Sequence, residues 1–167
     1  MKKTILVLAI VFSASATFAQ KSDVVDIAIS SKDHTTLVAA VKAADLVETL
    51  KGKGPFTVFA PTNAAFEKLP EGTLESLLKP ESKSTLAGIL TYHVVSGDID
   101  AVAVVEAIKK GNGKAVLTTV NGEKITASLV GKNVVITDAK GGNATVTAVD
   151  LKGSNGVVHV LDAVLLP

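Results

Sequence analysis

The 167-residue chain has no cysteine and no tryptophan. It also has no arginine, so all 17 basic residues are lysines. Absence of cysteine excludes disulfides, thiolate metal sites, iron–sulfur clusters and cysteine nucleophiles. Absence of arginine excludes bidentate clamps on phosphate or carboxylate, and no Arg-Gly-Asp adhesion motif can exist. The 17 lysines face 16 acids, a net charge of +1. That near-balance removes the electrostatic footprint of a nucleic-acid binder. What remains is ordinary. Hydrophobic residues make up 47% of the chain and charged residues 20%, which suits a folded chain and not a disordered one.

Residues 1–19 read as a secretory signal peptide outside the fold. Lys2 and Lys3 form a basic start, 5–12 is an unbroken apolar run, and 13–19 is small and weakly polar, ending Thr17-Phe18-Ala19. The apolar run is too short to span a bilayer, which takes about 20 residues. Cleavage after Ala19 leaves one domain over 20–167. No later stretch reads as a membrane helix. The mature protein is therefore expected to be secreted or periplasmic. Losing Lys2 and Lys3 tips its charge slightly negative. A domain of about 150 residues buries about 68–70% of its unfolded surface, enough to fold without disulfides.

The first half of this domain reads as helical, with one strand interrupting. Val24, Val25, Ile27 and Ala28 suggest a short helix with Asp23 and Asp26 at its positive end. Asp33 or Thr35 can cap a second, carrying Leu37, Val38, Val41 and Ala44. Gly52 and Gly54 break the pattern, and 56–60 is a compact apolar strand ended by Pro61. Thr62 is a good N-cap for a helix over 63–69. Further helices are expected over 73–78, 81–90 and 101–108. The second half is mostly strand. Residues 92–95 are β-rich. Asn121-Gly122, Gly131-Lys132-Asn133, Gly141-Gly142-Asn143 and Ser154-Asn155-Gly156 then punctuate short β-rich runs. Tight turns at such intervals predict an antiparallel meander. Helices first and strands second give an α+β class.

Three segments carry a resemblance. They are Gly54-Pro55-Phe56-Thr57-Val58-Phe59-Ala60-Pro61-Thr62-Asn63-Ala64-Ala65-Phe66, then Leu90-Thr91-Tyr92-His93-Val94-Val95, then Asn155-Gly156-Val157-Val158-His159-Val160-Leu161-Asp162. Their order and spacing resemble the fasciclin domain family across essentially all of 20–167. The resemblance implies a fasciclin-like wedge: an antiparallel or mixed β-sandwich with helices packed along one side. It further implies a cell-adhesion or extracellular binding module rather than an enzyme, with no cofactor. Its partners would be envelope or extracellular proteins or glycans, or a second copy, and not nucleic acid.

The candidate binding residues are Tyr92, His93, Thr62, Asn63 and Phe66. Tyr92-His93 matches the family's Tyr-His motif, associated in animal fasciclin domains with integrin-dependent adhesion. On a strand the two side chains point to opposite faces. The bland alternative is a hydrogen-bonded core histidine beside a packed tyrosine. The four aromatics of the mature span, Phe56, Phe59, Phe66 and Tyr92, all fall in the first two segments, which suggests one anchoring junction. His34, His93 and His159 lack the spacing of a metal site, and His34 reads as the solvated start of the second helix. Gly111-Asn112-Gly113-Lys114 lacks the context of a phosphate loop and reads as a helix C-cap with a turn. Asp98-Ile99-Asp100 reads as a turn into a helix, and Asn143-Ala144-Thr145 as a hairpin turn rather than a glycosylation site. No nucleophile elbow is present. Carriage of a small apolar ligand or glycan between helices and sheet is the alternative function. An enzyme acting on envelope polymers is the less favoured one.

Overall fold

The computed structural model describes residues 22–167; the expected leader lies outside them. The helices are α1 (Val24–Ser30), α2 (Thr35–Ala43), α3 (Val47–Leu50), α4 (Asn63–Glu67), α5 (Thr73–Leu77), α6 (Lys83–Tyr92) and α7 (Ala101–Lys110). Two 3-10 turns, Lys32–His34 and Pro80–Ser82, lead into α2 and α6. The strands are β1 (Phe56–Pro61), β2 (Val94–Ser96), β3 (Lys114–Thr118), β4 (Lys124–Val130), β5 (Asn133–Thr137), β6 (Asn143–Gly153) and β7 (Gly156–Leu161).

The α+β expectation holds, and β3 to β7 form the antiparallel meander. One continuous sheet, ordered β2-β1-β7-β6-β5-β4-β3, stands in place of the two sheets of a sandwich. Only β1 and β7 run parallel. The edges curl towards each other. Val120 N–H donates to Val94 O at 2.7 Å, and Val95 bridges Thr119. The result is nearly a barrel.

Side-chain alternation on this curled sheet makes two cores. The inner one takes Phe59, Val95, Ala115, Ile125, Ile136, Ala144 and Leu161, at least one residue from every strand. Val104 and Ile108 of α7 pack into it. The outer core lies between the helices and the other face of β1, β2 and β7. It holds Ala60, Val94, Val158, Leu37, Val41, Leu86 and Leu90. The four aromatics therefore do not share one junction. Phe59 and Tyr92 belong to the inner core, while Phe56 and Phe66 pack in the outer one.

Local signals explain most element ends. Asp23 caps α1 in a reciprocal box with Asp26. Asp100 caps α7, accepting from Ala103 N–H at 2.9 Å. Gly111 ends α7, as its sequence context predicts. Neither Asp33 nor Thr35 caps α2 through its side chain. His34 occupies the N-cap position without a side-chain bond, and it is buried rather than solvated.

Candidate functional site

The first and third family segments become β1 and β7, side by side. Phe56 N–H donates to Asn155 O at 3.0 Å where the two strands begin. The approach is too close for side chains. A Cβ on Gly156 would lie 2.0 Å from Phe56 O, and one on Gly54 would lie 1.9 Å from Asn155 O. Asn155 also ties down the helices: its Oδ1 accepts from Val24 N–H at 3.0 Å, and its Nδ2 donates to Leu50 O at 2.7 Å.

Thr62 caps α4, its Oγ1 accepting from Ala65 N–H at 3.3 Å. Asn63 reaches away from its own helix. Its Oδ1 accepts from Thr36 N–H at 2.9 Å and from the Thr35 hydroxyl at 3.2 Å; its Nδ2 donates to Lys32 O at 3.0 Å. Asn63 is thus the missing cap of α2, supplied from 27 residues downstream. Thr62 and Asn63 are half-buried, and Phe66 is buried beneath α4.

The expected strand geometry at Tyr92-His93 is corrected. Tyr92 is the last residue of α6, His93 is its C-cap, and β2 begins only at Val94. α6 carries helical patterning through to Tyr92, so the β-rich composition of 92–95 was misleading for its first half. Both side chains are buried, at 0% and 2% exposure. The Tyr92 hydroxyl donates to Lys124 O at 3.2 Å and accepts from Ala139 N–H at 2.9 Å. Burial holds its phenol above the ordinary range.

His93 is a brace with a defined tautomer. Its Nδ1 lies 2.8 Å from Ile89 O, which can only accept, so Nδ1 carries the proton. Nε2 is then bare and accepts from Leu165 N–H at 3.0 Å. Burial pushes the imidazole pKa down to about 4, so the ring is neutral at pH 7. Next along the chain, Leu166 N–H donates to Asp138 Oδ2 at 3.1 Å. The turn containing Asp138 also supplies the Ala139 N–H held by Tyr92. His93, Tyr92 and Asp138 thereby pin the C-terminal strap, 162–167, across the barrel. Sequence reading gave Asp138 and Asp162 no bracing role, because the backbone N–H groups that they accept from lie far away in sequence. Asp162 Oδ1 accepts from Thr145 N–H at 2.7 Å.

The remaining candidates are also built into the fold. His159 Nε2 donates to Ile99 O at 2.8 Å, and its ring lies 5.6 Å from that of Phe59. Ile99 N–H donates to the Thr57 hydroxyl at 2.9 Å, so the Asp-Ile segment is part of the scaffold. Among the described residues no group of three or more His, Asp or Glu side chains is arranged to hold a metal ion. Between α1, α2, α3, α6 and β1 runs an apolar crevice of about 40 Å³, lined by Val25, Leu37, Val41, Leu50 and Val58, with Lys42 and His93 among its walls. Among the described residues, no helix is long and apolar enough to cross a membrane.

The fasciclin domain family model matches residues 32–167. The chain is 49% identical over 144 residues to Protein sll1483 of Synechocystis sp., covering 86% of this chain and 73% of that one. It is 41% identical over 147 residues to protein sll1735 of the same organism, covering 86% and 97%. A solved FAS1 domain pair from the insect cell adhesion molecule fasciclin I superposes with a TM-score of 0.59 at 24% identity, covering 78% of this chain and 43% of that one. With the family model spanning most of its length and the same fold present in that pair, this chain belongs to the fasciclin domain family.

Proposed function

We propose that the protein is exported, to the periplasm or the exterior, as a non-catalytic binding and adhesion module of the fasciclin type. Its partner is an envelope or extracellular protein or glycan, or a second copy of the chain. The observation that carries this reading is the deployment of polar residues. Among the described residues no Asp, Glu or Lys is buried. Asp23, Asp100 and Asn63 serve as caps, and His93 and His159 serve as braces. A scaffold committed in this way favours surface recognition over chemistry. The occurrence of the fold in an insect cell adhesion molecule points in the same direction.

The binding face lies on the α4 side of the domain, where half-buried Thr62 and Asn63 neighbour exposed Lys32, Glu67 and Lys68. Phe66 supports it from beneath. Tyr92 and His93 hold β2 and the strap in place and act on the partner through that positioning. The test is attachment of cells to surfaces coated with purified 20–167, compared with Glu67→Lys and Lys68→Glu variants of unchanged melting temperature. Wild type should promote attachment and the variants should lose it. No attachment by the wild type, or equal attachment by all three, overturns the reading. Export is checked by N-terminal sequencing of the extracytoplasmic protein, which should begin at Gln20.

The apolar crevice favours a second reading, carriage of a small apolar ligand. An engineered cavity of about 150 Å³ is what takes up benzene, so α1 and α2 would have to move apart for this crevice to take a ring. Saturable thermal stabilisation by lipids or sugars distinguishes this reading from adhesion.

A further inference from the structure

Strand directions gather several features at one end of the sheet. β2, β4 and β6 finish there, and β1, β3, β5 and β7 begin there. α7 joins the end of β2 to the start of β3 and so caps this end, with Val104 and Ile108 turned into the inner core. The β4–β5 hairpin lies beside it, because Lys114 at the start of β3 is in register with Ser128 of β4. Ala101 and Val104 of α7 share a small crevice with Val134 of β5 and Val149 of β6. α4 and the strap follow β1 and β7 at the opposite end.

This end is apolar where a turn is usually polar. Hairpin tips favour Gly, Asn, Asp and Ser. Here Gly131, at φ 64°, and Lys132 form the tip, and the strand leading into it ends with Leu129 and Val130 at 38% and 62% exposure. Val102 on α7 and Val149 on β6 are 63% and 44% exposed. Lys109, Lys110, Lys114 and Lys132 are exposed around them, and among the described residues none of these lysines is in an ion pair. The acids at this end are fewer and partly occupied. Asp100 caps α7, and Asp150 accepts from Ala101 N–H at 2.8 Å. Glu106 and Asp98 are exposed, and Asp98 precedes α7, at the end away from its lysines.

We propose that this end docks on the surface of an anionic phospholipid bilayer. Leu129 and Val130 enter the headgroup boundary, and the four lysines lie among the lipid phosphates. Exposed apolar side chains ringed by lysines are the pattern of an interfacial membrane contact. Each lysine near an anionic surface is worth about fivefold in affinity. Local charge must supply the attraction, because 20–167 has fewer lysines than acids once Lys2 and Lys3 are gone. A second copy is disfavoured as the occupant, since two such faces would set lysines against lysines. A water-borne polyanion would leave Leu129 and Val130 uncovered. The site lies at the opposite end from α4, so either proposal can fail alone.

The test is sedimentation of 20–167 with vesicles of phosphatidylcholine alone and of phosphatidylcholine mixed equally with phosphatidylglycerol. The domain should bind the mixed vesicles and not the neutral ones, and high salt should weaken the binding. Lys114→Gln combined with Lys132→Gln should weaken it by about 25-fold, fivefold for each lysine. The same charge change on the helical side, Lys42→Gln with Lys79→Gln, should leave it nearly unchanged. The chain has no tryptophan, so Val130→Trp introduces a single reporter, whose fluorescence should shift to the blue on mixed vesicles. All the substituted side chains are exposed, so melting temperatures should stay the same. The proposal is overturned by no binding to mixed vesicles, by equal binding to neutral ones, by equal losses in the two lysine pairs, or by an unshifted reporter. Binding to soluble polyglutamate but not to mixed vesicles would overturn it in favour of an acidic protein partner.

Discussion

His93 accepts a hydrogen bond from the backbone of Leu165, 72 residues downstream, at 3.0 Å. The same ring donates to Ile89 O one turn back in α6. One buried imidazole therefore couples a helix end to the C-terminal strap.

Replacing His93 by Phe keeps ring volume but leaves Leu165 N–H and Ile89 O without their partner. A loss of about 2–4 kcal/mol is expected, the range for breaking a buried hydrogen-bonded network. Urea unfolding measures it, and a loss below about 0.5 kcal/mol, the level of a neutral surface change, would show that the brace is idle.

Acid should weaken the fold as the pH falls through the range of an ordinary histidine. His93 has a folded pKa of about 4, against 6.5 for a free imidazole. Between those values the unfolded chain binds a proton that the folded one refuses. Stability is thus full above about pH 6.5 and falls as pH drops towards 4, by about 3 kcal/mol. His34, also lowered by burial, contributes with the same sign. Urea midpoints from pH 7.5 to 4 should fall for the wild type and fall distinctly less for His93→Phe; parallel curves would exclude His93 as the cause.

Asn63→Ala removes the cap that α4 supplies to α2. The expected cost is about 1–2 kcal/mol, with faster amide exchange at Thr36. Unchanged exchange there would mean that water replaces the carboxamide without loss.

Two glycines should respond oppositely to alanine. Gly156→Ala places a Cβ against Phe56 O at the β1–β7 start, and a loss of about 3 kcal/mol or more is expected from displaced strands. Gly88 lies inside α6 with nothing within 4 Å of its Cβ position. Gly88→Ala should stabilise by about 0.5–1 kcal/mol. Thermal melts of the two variants give the signs directly.

Local chemistry made much of the fold legible. Turn residues marked the meander because Gly122, Gly131 and Gly141 adopt positive φ, which few other residues tolerate. Thr62 and Asp100 announced their helices because an N-cap acts within three residues. Tyr92-His93 was misplaced onto a strand because β-branched neighbours follow it, while its helical partners precede it. His34 was expected in solvent because burial depends on what packs over a turn, and nothing nearby in sequence reveals that.

By itself the sequence determined the α+β class, the order of elements, the family and the candidate residues Thr62, Asn63, Phe66, Tyr92 and His93. These follow from periodicity, caps, turns and long matching segments, all of which act over a few residues. The tertiary structure decided what those residues do. Asn63 caps a helix 27 residues away, and His93 holds a strap 72 residues away. Such roles arise when closing the sheet brings distant backbone groups into contact. A buried polar group must then find its partner wherever the fold provides one.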